Sequence, residues 1–370
     1  MDTFYAFWTY CDTHKSPDDI KAYYIKHKHE LNKNTVFQRI CTYGYLSFAQ
    51  WFYSSESVES VDINANHGCI FIGSCRNGHL DVAQWLYSLG ADIHANNDHA
   101  FQSSCMAGHL DVAQWLYSLG VDIHANNDYV FRSSCMAGHL DIAQWLYSFG
   151  NIQTDYGYIF RWSCINGRIN VAEWLLSIEK IDIHSDNNHI FKHTCAYGYL
   201  KAAQWLYSFG NIDIHMDNDC SFMYSCAGGH LDVAQWLFSF GNIDIHADND
   251  RVFRESCTYG KLYVVKWLLS FGNVNIHADN DYAFRKSCTH NHLEVAQWLY
   301  SLGGIDIRAE NDVAFRWSCD NGHMSIAIWL SSLCDDYKIM HISETKRDIT
   351  YKINRHEWFE NTKTVLFIFS

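Results

Sequence analysis

A block of about thirty residues with one order of apolar and polar positions recurs ten times along the chain. In the copy at 101–130, small or apolar residues first recur at the i, i+3, i+4, i+7 spacing of one helix face. These residues are Phe101, Ser104, Cys105 and Gly108. A second set with the same spacing comprises Val112, Trp115, Leu116 and Leu119. The pattern predicts a helix, a tight turn at Gly108, a second amphipathic helix and a polar loop.

A Phe-x-x-x-Cys marker opens each copy, and a Trp follows each Cys by ten residues. The Phe residues are Phe37, Phe71, Phe101, Phe131, Phe160, Phe191, Phe222, Phe253, Phe284 and Phe315. The spacing between them is 34, 30, 30 and 29 residues, and then 31 residues five times. A nearly fixed period of this length predicts a solenoid of stacked supersecondary units.

Within each copy, the order of residues resembles that of ankyrin repeats. In 100–124 the resemblance is carried by Gly108-His109-Leu110, by Gly120 and by Asp122-Ile123-His124. It covers roughly residues 35–333 and implies an all-α, ankyrin-type helix-turn-helix repeat solenoid that binds protein without catalysis. The Thr-Pro before the first helix is absent, and the family's β-hairpin finger is about three residues shorter here, so we expect shortened loops. The motif Ala-Gln-Trp-Leu-Tyr-Ser also resembles ankyrin proteins of giant amoeba-infecting viruses.

The copies divide the chain into three segments. Residues 1–34 are predicted to be a degenerate N-terminal capping repeat, because Phe7-x-x-x-Cys11 carries the marker. Ten repeats follow at 35–333. Residues 334–370 leave the pattern, and the alternation at 349–353 predicts a short cap, with a docking tail as the alternative. Such a tail would make the protein a viral adaptor that recruits a host protein to a ubiquitin ligase.

Composition narrows the partners and the compartment. The chain has 27 Lys and Arg against 41 Asp and Glu, a net charge of −14, which argues against nucleic acid and anionic membranes. Equivalent cysteines in stacked helices stand too far apart for disulfides, so they are predicted to be buried thiols in a reducing compartment. We therefore expect a cytoplasmic protein, in the host cell cytoplasm if it is viral, and no small-molecule substrate.

Two histidine ladders run through the repeats, one after the turn Gly and one in the polar loop. The turn members are His79, His109, His139, His230, His292 and His323, and the loop members are His94, His124, His184, His215, His246 and His277. Neither ladder has the close spacing of zinc ligands, and the resemblance implies structural hydrogen bonds. The loop Asp-Asn-Asp triplets lack the Gly and the distal Glu of a calcium loop, so they are interpreted as turn formers.

The other repeated residues are predicted to support the fold and not a reaction. The Trp ladder is predicted to belong to the core. No phosphate-binding, serine-hydrolase or zinc-protease motif occurs in the sequence, and repetition itself disfavours a unique active site. We therefore predict no enzyme activity, no catalytic or metal-binding residues and no cofactor.

One column of the first helices differs from repeat to repeat. The residue after each marker Phe is basic in six of ten copies, and aromatic or charged residues follow it. The candidate partner-binding residues are Arg132, Arg161, Trp162, Lys192, Tyr224, Arg254, Arg285, Arg316 and Trp317. Arg, Trp and Tyr dominate interface hot spots, which favours a binding face. The alternative is that each Arg pairs with a loop Asp of a neighbouring repeat, and the sequence leaves both open.

Overall fold

The structure, a computed structural model, describes residues 17–55, 62–181, 187–342 and 349–353. The Phe7–Cys11 marker of the predicted N-terminal cap, His184 and much of the segment after 333 lie outside these residues. The chain divides into two compact units, residues 1–182 and 183–370. Each unit is described by itself below.

Among the described residues of the first unit, a helix is followed by five helix pairs, with a short 3₁₀ turn at Lys28–Glu30. The helix before the pairs is Pro17–His27 (α1). The pairs are Lys33–Thr42 (α2) and Leu46–Ser55 (α3), Ala65–Arg76 (α4) and Leu80–Ser88 (α5), Ala95–Ala107 (α6) and Leu110–Ser118 (α7), Ala125–Ala137 (α8) and Leu140–Tyr147 (α9), and Tyr156–Ile165 (α10) and Ile169–Ile178 (α11).

The second unit has five helix pairs and a β-hairpin in its described part. The pairs are Asn187–Ala196 (α12) and Leu200–Ser208 (α13), Met216–Gly228 (α14) and Leu231–Phe238 (α15), Ala247–Thr258 (α16) and Leu262–Leu269 (α17), Ala278–Thr289 (α18) and Leu293–Ser301 (α19), and Ala309–Asp320 (α20) and Met324–Leu333 (α21). The strands are Tyr337–Ile342 (β1) and Ile349–Ile353 (β2), which pair antiparallel with Tyr337 opposite Ile353. The predicted all-α helix-turn-helix solenoid is confirmed.

The core repeats with the sequence. In every pair the marker Phe and Cys of the first helix are buried, and so are two equivalent positions of the second helix, which hold Ala and Leu except for Phe52 in α3 and Val265 in α17. In the copy at 101–130 these are Phe101, Cys105, Ala113 and Leu116. Burial of a Phe or Leu side chain stabilises the fold by about 1.5–3 kcal/mol, so each repeat adds a similar increment.

The Trp ladder, predicted to be core, lies only half-buried. Trp236 packs its ring against Phe191 and Tyr207 of the preceding repeat, with centroids 6.1 Å and 5.9 Å apart. The same pair of contacts recurs in both units, for example Trp115 with Phe71 and Tyr87. The Trp therefore links neighbouring repeats at the margin of the core, and one side of its ring meets solvent.

Most first helices open, within the bounds given above, with three residues in a left-handed turn, and this turn belongs to the polar loop. Asp248, Asn249 and Asp250 have φ angles of 52°, 61° and 58°. Asn and Asp tolerate this conformation better than other residues with a Cβ, which explains why the loops repeat Asx triplets. The loop before α10 is different, because Asp155 caps that helix by accepting a hydrogen bond from the Tyr158 N–H at 2.9 Å.

The hairpin covers the last marker Phe, Phe315. The Tyr337 ring stacks on Phe315 with centroids 4.2 Å apart, and Tyr351 meets the same ring edge-on at 5.5 Å. The Tyr337 hydroxyl donates to Asp312 Oδ1 at 2.9 Å. Phe284, the equivalent residue of the preceding repeat, packs against Trp329 of the repeat that follows it. The two tyrosines therefore cover Phe315 where a further repeat would supply a Trp.

Candidate functional site

The side chain that follows each marker Phe contacts, in several repeats, the left-handed turn at the start of its own first helix. In Arg285, Nε donates to the carbonyl oxygen of Asn280 at 2.7 Å and Nη2 donates to that of Asp279 at 2.7 Å. Arg254 makes both contacts in its own repeat. One carbonyl contact of this kind is made by each of Gln102, Arg132 and Arg316. The guanidinium thus closes the left-handed turn, whose carbonyl oxygens point back toward the helix.

Arg254 also reaches the next repeat. Its Nη1 donates to Asp279 Oδ2, so one member of the column makes the predicted pairing with a neighbouring loop. Arg254, Arg285 and Lys286 surround the Tyr282 ring, with their charged groups 5.2 Å, 5.8 Å and 5.5 Å from its centroid. Cation–π contacts of this length stabilise both partners. Positive charge is therefore concentrated on this part of an acidic chain.

The other candidate residues divide between the units. Arg132, Arg161 and Trp162 lie in the first unit, and the other six lie in the second. Arg161 lies on α10, the helix that Asp155 caps, and no left-handed triplet precedes Arg161 in that helix. Lys192 lies over the Tyr224 ring, with Nζ 6.0 Å from the centroid.

The aromatic candidates are the more accessible members of the set. Trp162, Tyr224 and Trp317 are exposed, although large aromatic side chains are otherwise favoured in cores. Each stands two residues after a fully buried marker Phe, on the opposite side of the same helix. Their rings offer rigid apolar area at a surface, which is a property of binding hot spots.

A groove of about 790 Å³ crosses three first helices of the second unit. The residues that line it include Tyr197 directly after α12 and Tyr259 directly after α16, here called its sides, and Ala227 and Gly228 on α14, here called its floor. Tyr197, Tyr224 and Tyr259 are 58%, 45% and 54% exposed. Sequence reasoning missed Tyr197 and Tyr259. The signal was their position six residues after the marker Phe, where Tyr, Gly and Tyr follow one another in successive repeats.

The turn histidines make hydrogen bonds to the preceding repeat. The turn histidine His139 contacts the Met106 carbonyl oxygen through Nε2 at 3.0 Å, and His323 contacts the Thr289 carbonyl oxygen in the same way. Burial lowers the pKa of His230, although a bond to the Ala196 carbonyl oxygen acts against that shift. These rings also lie against the turn glycine of the preceding repeat, where a Cβ on Gly198 would stand 2.1 Å from His230.

The loop histidines bind the last residue of their own triplet. His246 Nδ1 lies 2.7 Å from Asp250 Oδ1, and the buried Asp250 accepts the Asn275 N–H through Oδ2 at 2.8 Å. The same link to the next loop is made by Asp128 and Asp281. Within the described ranges, no three His, Cys, Asp or Glu side chains are grouped as a metal ion would require.

The marker cysteines lie in an apolar environment. Burial raises the pKa of the Cys105 thiol to about 12, and it raises the pKa of the other marker thiols in the same direction. Because the thiolate is the reactive form, these groups behave as small apolar side chains. The described cysteines are thiols and form no disulfide among themselves.

Comparison with known proteins supports the same fold. Residues 74–116 and 102–147 match the sequence model of the family described as ankyrin repeats (many copies). No curated protein matches the chain. In the part of the chain that the structure describes, no helix has the length and apolar character to cross a membrane. Ankyrin repeats generally mediate protein–protein interaction and are typically non-enzymatic. Residues 74–147 therefore match ankyrin repeats, and the same pairing of helices recurs on both sides of the matched residues.

Proposed function

We propose that this protein is a non-enzymatic scaffold that binds a protein partner through the first-helix and loop face of its repeats. One observation carries the proposal. On each first helix the buried side repeats the same Phe and Cys, whereas the residue two positions after the Phe varies among the repeats and includes the exposed Trp162, Tyr224 and Trp317. Exposed aromatic rings on a rigid helical support favour a binding surface.

The nine candidate residues have two roles in this proposal. Arg132, Arg254, Arg285 and Arg316 hold the loop carbonyl oxygens and so shape the loops beside the face. Trp162, Tyr224 and Trp317 meet the partner directly. Arg161 and Lys192 are compatible with both roles, shaping a loop or contacting the partner. Mutation of the arginines would change loop structure and binding together, so the aromatic residues are the better probes.

Site-specific photocrosslinking tests the face. A benzophenone amino acid replaces Tyr224 or Trp317 on the first helices, and Tyr87 or Tyr263 on the second helices as matched exposed positions. The full chain is made in cells of its natural environment and irradiated there. We expect a discrete crosslinked protein from Tyr224 or Trp317 and none from the controls. Equal crosslinking at all four positions, or none at any, would contradict the proposal.

A second role, that of an adaptor that recruits a host protein to a ubiquitin ligase, places docking in the C-terminal segment. The contacts of Tyr337 and Tyr351 with Phe315 favour capping by the hairpin. Deletion of 354–370 leaves the hairpin in place, whereas deletion of 334–370 removes it. Loss of ligase components on the shorter deletion, with the first-helix partner retained, would support an adaptor. Retention of all partners would leave a scaffold.

The compartment and origin belong to the same proposal. The repeat motifs resemble those of giant amoeba-infecting viruses, and the buried thiols suit a reducing compartment. We place the protein in the cytoplasm of a host cell. Immunofluorescence of the tagged full chain in infected cells tests this, and a signal confined to another compartment would overturn it.

A further inference from the structure

We propose that the groove over α12, α14 and α16 binds an acidic segment of a protein partner, with one apolar side chain seated over Ala227 and Gly228. This inference rests on the proposed function, because it names the chemistry that one part of the first-helix face recognises. The groove combines a floor without bulk, aromatic sides and a cationic rim. Each of these has a physical origin in the repeats.

The floor is open because of one glycine. Tyr197, Gly228 and Tyr259 occupy the same position, six residues after the marker Phe, in three successive repeats. Packed helices lie about 8–10 Å apart, so the two tyrosine backbones are separated by roughly 16–20 Å across Gly228. A Cβ at Gly228 would stand 2.7 Å from the Ala196 carbonyl oxygen and 2.6 Å from the His230 ring. Close packing therefore keeps this position without a side chain, and a gap remains between the two rings.

The sides provide apolar contact area. Tyr197 and Tyr259 are more than half exposed, and both rings border the groove together with Tyr224. Tyr197, directly after α12, stacks against His193 of that helix with ring centroids 6.5 Å apart. Aromatic walls of this kind bury a single Leu, Met or aromatic side chain of a partner well.

The rim is cationic. Lys261 stands where most repeats have the turn histidine, and its Cδ lies 2.8 Å from the Cβ that Gly229 would carry. Arg251 also lines the groove, and its guanidinium is 3.9 Å from Asp248 with both side chains about half exposed or more. Such an exposed pair is weak and exchanges readily for another carboxylate. Glu255 is the one acidic residue among the side chains described around the groove.

Charge complementarity selects the occupant. The whole chain carries a net charge of −14, so a cationic groove contrasts with its surroundings. Carboxylates of a partner segment gain attraction at Arg251 and Lys261, while the rest of the surface repels acidic proteins that do not fit. Nucleic acid fits less well, because a phosphate backbone needs a long basic stripe and meets acidic loops outside the groove.

Selection from short random peptides displayed on phage, with the full chain as bait, tests the inference. Enriched peptides are synthesised with a fluorescent label, and their affinity is measured by anisotropy at low and high salt. The groove variants are Arg251→Glu and Lys261→Glu. The matched controls are Lys201→Glu and Lys266→Glu, which make the same charge change on exposed second-helix positions of the same unit. Oligo(dT) with the same label serves as the nucleic-acid probe.

We expect enrichment of Asp and Glu around one apolar residue. Binding should weaken about tenfold or more in the double groove variant, weaken with salt, and persist in both controls. Peptides without an acidic bias, or peptides lost in Trp317→Ala but not in the groove variants, would overturn the groove assignment and leave the proposed function standing. Tighter binding of oligo(dT) than of peptides would also overturn it. Failure to enrich any peptide would overturn the groove inference. Crosslinking at Tyr224 then tests the proposed function separately, because a crosslinked protein partner would support that function without the groove.

Discussion

The two sides of a first helix in the second unit follow different rules. On α14, Phe222 is fully buried against Phe238 and Trp267, and every repeat has Phe at its position. Tyr224, two residues later, is 45% exposed, and its position holds a different residue in the neighbouring repeats. Packing with adjacent repeats specifies the first side, because each repeat must present the same surface to the next. The second side is free to vary without loss of fold.

Truncation of each side gives the largest expected contrast. Phe222→Ala should lower the free energy of unfolding by about 3–5 kcal/mol, because it leaves a cavity between repeats. Tyr224→Ala should change it by no more than about 0.5 kcal/mol. Urea unfolding followed by circular dichroism measures both. Similar unfolding midpoints for the two variants would show that the sides do not differ in this way.

Removal of one carboxylate oxygen from a loop should have the next largest effect. Asp250→Asn replaces an acceptor of either the His246 or the Asn275 hydrogen bond by a donor, in a buried site. The expected loss is about 1–3 kcal/mol of unfolding free energy. Asp248→Asn is the matched control, because Asp248 has the same left-handed backbone and an exposed side chain. A control as destabilised as Asp250→Asn would place the effect in the backbone instead.

A smaller effect isolates the left-handed backbone itself. Asn280 has φ 57° and ψ 56°, and its side chain donates to Glu310 Oε1 at 2.7 Å. Asn280→Ala and Asn280→Gly both lose that bond, so their difference reports conformation alone. Glycine should be more stable than alanine by about 1 kcal/mol. Thermal or urea unfolding measures the stability of the two variants. Equal stability would show that the turn relaxes out of the left-handed region in the alanine variant.

The smallest effect concerns pH. Burial lowers the folded-state pKa of His230 below 6.5, so the unfolded chain binds more protons as pH falls past that value. Stability should therefore decrease as pH falls through the unfolded pKa. His230→Gln should reduce this slope between about pH 7.5 and about pH 5.5. Parallel slopes in the parent protein and the variant would exclude a contribution from His230.

The repeat period, the helix pairs and the buried Phe and Cys columns could be predicted from the sequence, and the fold class is confirmed. They follow from short-range rules, since helical spacing and Gly or Asx turn residues act within a few positions of the chain. The acidic and amide triplets were interpreted correctly as turn formers for the same reason. The net negative charge and the absence of known catalytic motifs are also evident from the sequence alone.

Tertiary structure decided what depends on distances between repeats. The Trp ladder has helical spacing suited to a core, yet each ring stands at the margin between two repeats, because Ala and Leu already fill the interior. The sequence left Arg254 two roles, and the structure gives it contacts with its own loop and with Asp279 beyond it. The groove beside Tyr197 and Tyr259 depends on Gly228 from a third helix. Local periodicity says which side of a helix is apolar, but only the stacked neighbours determine how deeply that side is covered.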